Sequence, residues 1–263
     1  MYKLLALDLD GTLLMPDLSI PDAVRQRIKE LQSSGVIVTL ATGRMFATAV
    51  RYARDLGINA PIICYNGAML RSADAAEPVF FRPFDIAAQQ QVIDFCMERG
   101  WYVQLYNNEM IIVSRLTHDL SSDPDSRGNI CFAAGDLRQR ELLPSPKIMT
   151  RAKESEIGER TAILQEHFGD RLFITQSNSR LAEMMMKGVC KSSALQKLCG
   201  VYGIRQEETV VCGDSGNDLD MVRWAGRGCA MANAMPILKE NADYVCENNN
   251  SLGVLEVMNK FFK

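Results

Sequence analysis

The sequence predicts an α/β fold: a parallel sheet flanked by helices, with a smaller α+β module inserted into it. Three observations carry this. Short, nearly unbroken apolar runs at 3–7, 36–41, 61–65 and 209–212 alternate with segments of helical periodicity, the pattern of βαβ units with strands buried on both faces. Between about Pro83 and Met186 the pattern changes to strands joined by turns with two longer helices. After Lys187 the parallel pattern resumes. The division expected is a discontinuous core, 1–82 plus 187–263, and an inserted module, 83–186.

The elements follow in order. Lys3–Leu7 leads straight into Asp8-Leu9-Asp10-Gly11-Thr12. In an open parallel sheet, ligands bind just beyond the carboxyl ends of the strands, where these two carboxylates stand. Two acids so close need a positive partner, and a hard divalent cation such as Mg2+ suits oxygen ligands. Gly11 allows a sharp turn with positive φ. Taken alone, the same residues are equally an ordinary strand-ending turn. Ser19 with Asp22 predicts a capping box for a helix carrying Val24, Ile28 and Leu31 inward, stopped by Gly35. The strand 36–41 runs into Thr42-Gly43-Arg44 and a helix to about Leu56. A hydroxyl and open backbone N–H groups before a helix suit an anion, although Thr42 taken alone reads better as a plain N-cap. Pro61–Tyr65 is read as a third strand, closed by Asn66-Gly67, with 68–71 and 78–81 as a small hairpin.

In the inserted module, Ile86–Arg99 and Glu154–Phe168 read as helices. Segments 101–106, 110–113, 130–134, 148–150, 171–176 and 181–186 read as strands, with a polar stretch at 114–129. No dense cluster of acids or bases stands out there, and Met184–Met186 reads as core filler. Then Lys187–Lys191 leads into a helix, Ser192 to about Tyr202. Thr209–Cys212 ends in Gly213-Asp214-Ser215-Gly216-Asn217-Asp218, and helices near 219–225, 236–241 and 251–262 alternate with short strands at 229–231 and 244–246. If the first and this later strand are neighbours, Asp8, Asp10, Asp214 and Asp218 converge, and four crowded carboxylates repel one another without a cation. Lys191 offers a compact charge for phosphate or carboxylate; by itself it reads better as a solvated surface lysine.

Composition sets the remaining bounds. The 263 residues carry 47% hydrophobic and 23% charged side chains and a net charge of −3. There is no basic footprint for nucleic acid or an anionic membrane, so an anionic ligand needs a local cluster of donors. No apolar run approaches the roughly 20 residues that span a bilayer. Asp8 and Asp10 interrupt the early apolar stretch, so no signal peptide is expected. Eight scattered cysteines without a Cys-x-x-Cys pair read as reduced thiols of a cytoplasmic protein. The two histidines, His118 and His167, stand beside no nucleophile, which disfavours a histidine-dependent hydrolase.

Asp8-x-Asp10-Gly11-Thr12, Thr42-Gly43-Arg44, Lys191 and Gly213-Asp214-x-x-Asn217-Asp218 resemble the four signature motifs of the haloacid dehalogenase (HAD) superfamily. Asn66-Gly67-Ala68, the long insert and Ala230-Met231-x-Asn233-Ala234 resemble its Cof-like branch with a class IIB cap. Ser192 departs from the glycine that many relatives carry after the motif lysine. The resemblance implies a Rossmann-like, HAD-like core and an Mg2+-dependent phosphatase of small phosphorylated metabolites. Sugar phosphates are the leading substrates, with flavin mononucleotide and pyridoxal phosphate as further options. It implies Asp8 as nucleophile and Asp10 as acid and base. Thr42, Gly43, Lys191 and Asn217 would bind the phosphate, and Asp8, the Asp10 carbonyl and Asp214 the metal. Asp218 would orient that shell, Arg44 would reach the substrate or cap, and the cap would close on hinges near 81–84 and 186–189. A phosphomutase using the same phospho-aspartate and a non-catalytic phosphometabolite binder are the alternatives. The expected partner is a small metabolite, without nucleic acid or membrane, for a monomer or small homo-oligomer.

Overall fold

The computed structural model describes residues 1–116 and 130–262. Most of the polar stretch 114–129, with His118, lies outside them, as does Lys263. In chain order the elements are β1 (Leu4–Leu7), α1 (Asp22–Ser33), β2 (Ile37–Leu40), α2 (Phe46–Asp55), β3 (Ile62–Cys64), β4 (Met69–Arg71) and β5 (Phe80–Phe81). Next come α3 (Ile86–Glu98), β6 (Gln104–Asn107), β7 (Met110–Val113), β8 (Cys131–Ala133), β9 (Ile148–Arg151), α4 (Glu154–Phe168), β10 (Leu172–Asn178) and β11 (Leu181–Met186). The chain ends with α5 (Lys191–Tyr202), β12 (Thr209–Gly213), α6 (Leu219–Trp224), β13 (Arg227–Ala230), α7 (Pro236–Lys239), β14 (Tyr244–Val245) and α8 (Asn250–Phe261).

The first sheet has the order β14-β13-β12-β1-β2, and every pairing is parallel. Successive strand side chains point to opposite faces. Leu5 and Leu7 accordingly pack with Val24 and Ile28 of α1 and Val254 of α8, while Leu4 and Ala6 pack with Leu195 of α5 and Met221 of α6. Burial on both faces is why these strands read as continuous apolar runs rather than alternating ones. Because β1 lies between β12 and β2, the residues that follow all three strands emerge at one edge.

The second sheet, β10-β11-β9-β6-β7-β8, is antiparallel except for the β7–β8 pair. Leu105, Ile148, Ala182 and Met184 pack with α3 and α4 residues such as Val92, Phe95 and Leu164. Their neighbours Tyr106, Met149 and Glu183 line a cavity over the carboxyl edge of the parallel sheet. The β6–β7 hairpin turns at Asn108 and Glu109, both with positive φ, the conformation that two-residue hairpin turns require.

Two local expectations are corrected. Ser19 does not cap α1: its hydroxyl donates to Asp17 Oδ1 at 2.5 Å, and Pro21 occupies the N-cap without a side-chain bond. A nearby carboxylate outcompeted the helix N-terminus for that hydroxyl. β3 is not a full member of the parallel sheet, which it meets through a single bridge, Ala41 to Ile63. Positive φ at Tyr65, Asn66 and Gly67 turns the chain back at once, so β3 pairs antiparallel with β4, and β5 adds to β4 as the expected hairpin.

Candidate active site

Asp8 follows β1, and its backbone N–H bonds to Cys212 O of the neighbouring strand at 3.1 Å. The chain then makes one wide turn in which Leu13 N–H reaches Asp8 O and Leu14 N–H reaches Leu9 O. Gly11 sits in this turn with φ +78, and a Cβ there would lie 2.3 Å from Asp214 Oδ2. No other residue type meets both demands. Asn233 Nδ2, in the segment after β13, donates to Gly11 O at 2.8 Å and pins the turn.

Lys191 is fully buried, and its ammonium bridges Asp8 Oδ1 at 2.7 Å and Asp218 Oδ1 at 2.6 Å. Burial pulls its pKa down, yet Asp218 and Asp8 hold it well above the ordinary lysine value. Asp218 Oδ2 accepts the backbone N–H groups of Asp214 and Ser215. Asp214 Oδ1 accepts the Thr12 hydroxyl at 2.9 Å. Burial and the neighbouring Asp218 push Asp214 up to about 7. Burial likewise raises Asp8, with Asp218, Asp214 and Asp10 adding to it against Lys191.

Asp8, Asp214 and Asp218 each bring a carboxylate oxygen within 4.8 Å of the others. With all three carboxylates ionised, the one ammonium leaves two negative charges, which a single divalent cation balances. No hydrogen bond among the described residues reaches Asp8 Oδ2 or Asp214 Oδ2. The donor set therefore fits a hard metal ion. Asp10 contributes differently from the others. Its carboxylate faces Arg44, taking Nε at 2.7 Å and Nη2 at 2.5 Å in a bidentate pair. Arg44 is buried and lies over the Tyr52 ring.

At the end of β2, Thr42 is buried, and its Oγ1 accepts Arg44 N–H at 3.1 Å. Asn217 accepts the Ser215 hydroxyl at Oδ1 and donates through Nδ2 to Asn66 Oδ1 at 2.9 Å. Gly43 stands beside this pair: a Cβ there would be 2.9 Å from Asn66 Oδ1. Asp8, Asp10, Gly43, Thr42, Arg44, Asp214 and Asn217 thus share one cavity of about 300 Å³. Lys191 and Asp218 support it from beneath. All nine residues singled out in the sequence are brought together.

The second sheet supplies the roof, through Tyr106, Lys147, Met149, Ser177, Asn178 and Glu183. None of these six was singled out from the sequence, where the module shows no dense cluster of acids or bases; what it does hold is a buried ion pair. Lys147 and Glu183 are both buried and pair at 2.5 Å. Burial works to raise Glu183, but Lys147 and hydrogen bonds from Asn66 and Ser177 hold it below the ordinary glutamate value. Lys147 Nζ also donates to Gly43 O at 2.8 Å, and Asn66 Nδ2 donates to Glu183 Oε2 at 2.8 Å. The signal available was a lone carboxylate inside the otherwise apolar run 181–186. A further bridge comes from Glu109, which accepts Ala47 N–H in the first turn of α2 at 2.7 Å and the Tyr65 hydroxyl at 3.2 Å. Anionic oxygen at a helix N-terminus is electrostatically favoured. His167 lies apart, stacked on Phe95.

Comparison with known proteins agrees with this geometry. The family model of haloacid dehalogenase-like hydrolases matches residues 5–258. The chain is similar to the putative phosphatase YxeH of Bacillus subtilis (27% identical, covering 99% of this chain and 98% of the relative). It is also similar to the 5-amino-6-(5-phospho-D-ribitylamino)uracil phosphatase YitU of the same organism (25% identical, 98% and 97%). Among solved structures, a HAD subclass IIB sugar phosphatase superposes with a TM-score of 0.82 over 98% of both chains at 23% identity, a likeness of fold. The chain therefore belongs to the haloacid dehalogenase-like hydrolases and is an enzyme of that family.

Proposed function

We propose that this enzyme is an Mg2+-dependent cytoplasmic phosphatase that hydrolyses phosphomonoesters of small metabolites through a phospho-aspartate on Asp8. Sugar phosphates lead as substrates, with flavin mononucleotide and pyridoxal phosphate as further options, and residues 83–186 serve as the cap. The observation that carries this reading is the shared cavity, in which acids, a hydroxyl and an amide from three strand ends meet under one roof, with the buried Lys191 of α5 bonded to Asp8 beneath them. A relative that dephosphorylates a phosphoribityl-uracil supports the substrate class.

In the proposed reaction an Asp8 oxygen attacks phosphorus in line while the bond to the leaving oxygen breaks. Asp10 gives that oxygen its proton, so the products are a free alcohol and an acyl phosphate on Asp8. Asp10 then takes a proton from water, the water oxygen attacks phosphorus, and the bond to Asp8 breaks to release phosphate. In the present arrangement both Asp10 oxygens accept from Arg44, so this proton transfer begins with release of one of those bonds. Lys191 fixes the Asp8 rotamer, and Thr42, Gly43, Lys191 and Asn217 hold the phosphoryl oxygens. Asp8, the Asp10 carbonyl and Asp214 would hold Mg2+, with Asp218 orienting them. When bound, the cation supplies charge neutralisation for the phosphoryl group.

The test is hydrolysis of an aryl phosphate with Mg2+ by the purified protein and by Asp8→Asn. Activity in the wild type and background rates in the variant are expected, and equal rates refute the assignment of Asp8. Interconversion of sugar-phosphate isomers without release of phosphate moves the reading to a phosphomutase.

A further inference from the structure

The roof of the cavity does more than shape it. Lys147 and Glu183 form a buried ion pair on the second sheet, and each partner also reaches across to the core. Lys147 takes the carbonyl of Gly43. That carbonyl belongs to the Gly43–Arg44 peptide, whose N–H is donated to Thr42 Oγ1. Fixing the carbonyl therefore fixes the plane of the peptide. With its oxygen accepting Arg44 N–H, the Thr42 hydroxyl has its single proton to give elsewhere, and Thr42 lines the cavity.

Glu183 acts on the other side. A carboxylate is an acceptor only, so Asn66 must turn its NH2 toward Glu183 and its carbonyl toward Asn217. Asn217 must then answer with its own NH2 and direct its carbonyl to the Ser215 hydroxyl. One N–H of Asn217 is used on Asn66; the other remains for the cavity. The polarity of both amides is thus set by one acid 34 positions or more from either neighbour in the chain.

We propose that Lys147 and Glu183 are positioning residues of the reaction. Through Gly43 and Asn66, this ion pair sets how the Thr42 hydroxyl and the Asn217 amide present protons to the transferring phosphoryl group. The proposal rests on the phosphatase reading above. It explains the choice of glutamate. Glu183 serves Lys147 with Oε1 and Asn66 with Oε2, whereas glutamine has one oxygen for these two donors. A glutamine that keeps Lys147 offers its NH2 to Asn66, inverts that amide, and so inverts Asn217, turning a carbonyl toward an incoming phosphate. The device works only while the second sheet covers the site, so cover and donor alignment come together.

The experiment uses the full chain with two variants. Glu183→Gln keeps shape and loses the second acceptor. Lys147→Met with Glu183→Leu removes both charges together, because paired removal from a buried site is tolerated where single removal is not. Steady-state kinetics with a phosphomonoester are read alongside inhibition by orthovanadate, which mimics the five-coordinate phosphoryl group, and thermal melting. The expected result is a kcat loss of roughly 10²-fold in both variants, the size seen when one stabilising donor is lost. KM is expected to stay within about 3-fold, vanadate inhibition to weaken in parallel with kcat, and the double variant to remain folded. A folded double variant with wild-type kcat overturns the proposal. So does a loss confined to KM, which makes the pair a substrate grip. If the wild type hydrolyses no phosphomonoester, the phosphatase reading itself fails, a result separate from either of these.

Discussion

Lys191→Met is the most informative single perturbation of the site. The ammonium stands 2.7 Å from Asp8 and 2.6 Å from Asp218, and none of the three side chains is appreciably exposed. At an effective dielectric of about 20, each contact has a Coulomb energy of roughly 6 kcal/mol, most of it offset by the desolvation of the ions. Removing one member of a buried cluster leaves the others uncompensated and costs about 3–5 kcal/mol. Here it leaves three carboxylates within 4.8 Å of one another and no cation. At roughly 2–4 °C per kcal/mol for a chain of this order of size, the metal-free variant should melt about 6–20 °C below the wild type. Mg2+ should restore more of that loss than it adds to the wild type, because it replaces the missing charge. Thermal melts of both proteins, with chelator and with saturating Mg2+, measure the two effects. A metal-free variant melting within about 1 °C of the wild type, with an equal Mg2+ gain in both, would refute the charge accounting.

Gly11→Ala should lower stability by about 1–3 kcal/mol from the left-handed backbone alone. It should also weaken Mg2+ binding, measured by calorimetry, because its Cβ displaces Asp214. Acid should unlatch the roof: Glu183 is held below its unfolded value of 4.5, so its stabilisation is full above that value and is lost as pH falls through the lower folded value. Urea melts at pH 3 to 7 should therefore show a steeper acid decline in the wild type than in Glu183→Gln. Under native conditions no more than two thiols should react quickly with a disulfide reagent at pH 8. Only Cys131 and Cys190 are even partly exposed, and burial pushes Cys199 up to about 11 and Cys96 to about 12. Eight fast thiols would contradict the packing.

The chemistry at the strand ends was legible because two rules of physics agree there. Parallel strands buried on both faces leave unmistakable apolar runs, and ligands collect at their carboxyl ends. Asp8, Thr42 and Asp214 each read as standing at a strand's carboxyl end; that the three strands are neighbours is what the sheet order adds. What stayed hidden depended on pairing between distant segments. Lys147, the residue just before β9, meets Glu183 of the neighbouring strand β11, and nothing in a single sequence states that register. The pairing of Arg44 with Asp10, 34 positions away, was equally unstated by the sequence. Asn66 was read as a turn residue, which it is, with φ +54, but its amide also joins Glu183 to Asn217. Ser19 failed as a cap because Asp17 lay closer. Propensity is local: Lys147, Glu183, Arg44 and Asn66 found partners in distant segments, whereas the Ser19 hydroxyl was taken by a carboxylate two residues away.

The register of β1 has a consequence for how such an enzyme can vary. Leu7 stands opposite Cys212 on one side and Leu40 on the other, so the acid that follows is delivered at a fixed height above the sheet. Deleting one residue from this four-residue strand withdraws that acid by about 3.3 Å and rotates it to the opposite surface. The helices and most of the hydrophobic interior could survive such an indel while turnover vanished. Length changes should therefore be tolerated in the connections of the roof long before they are tolerated in this one short ribbon.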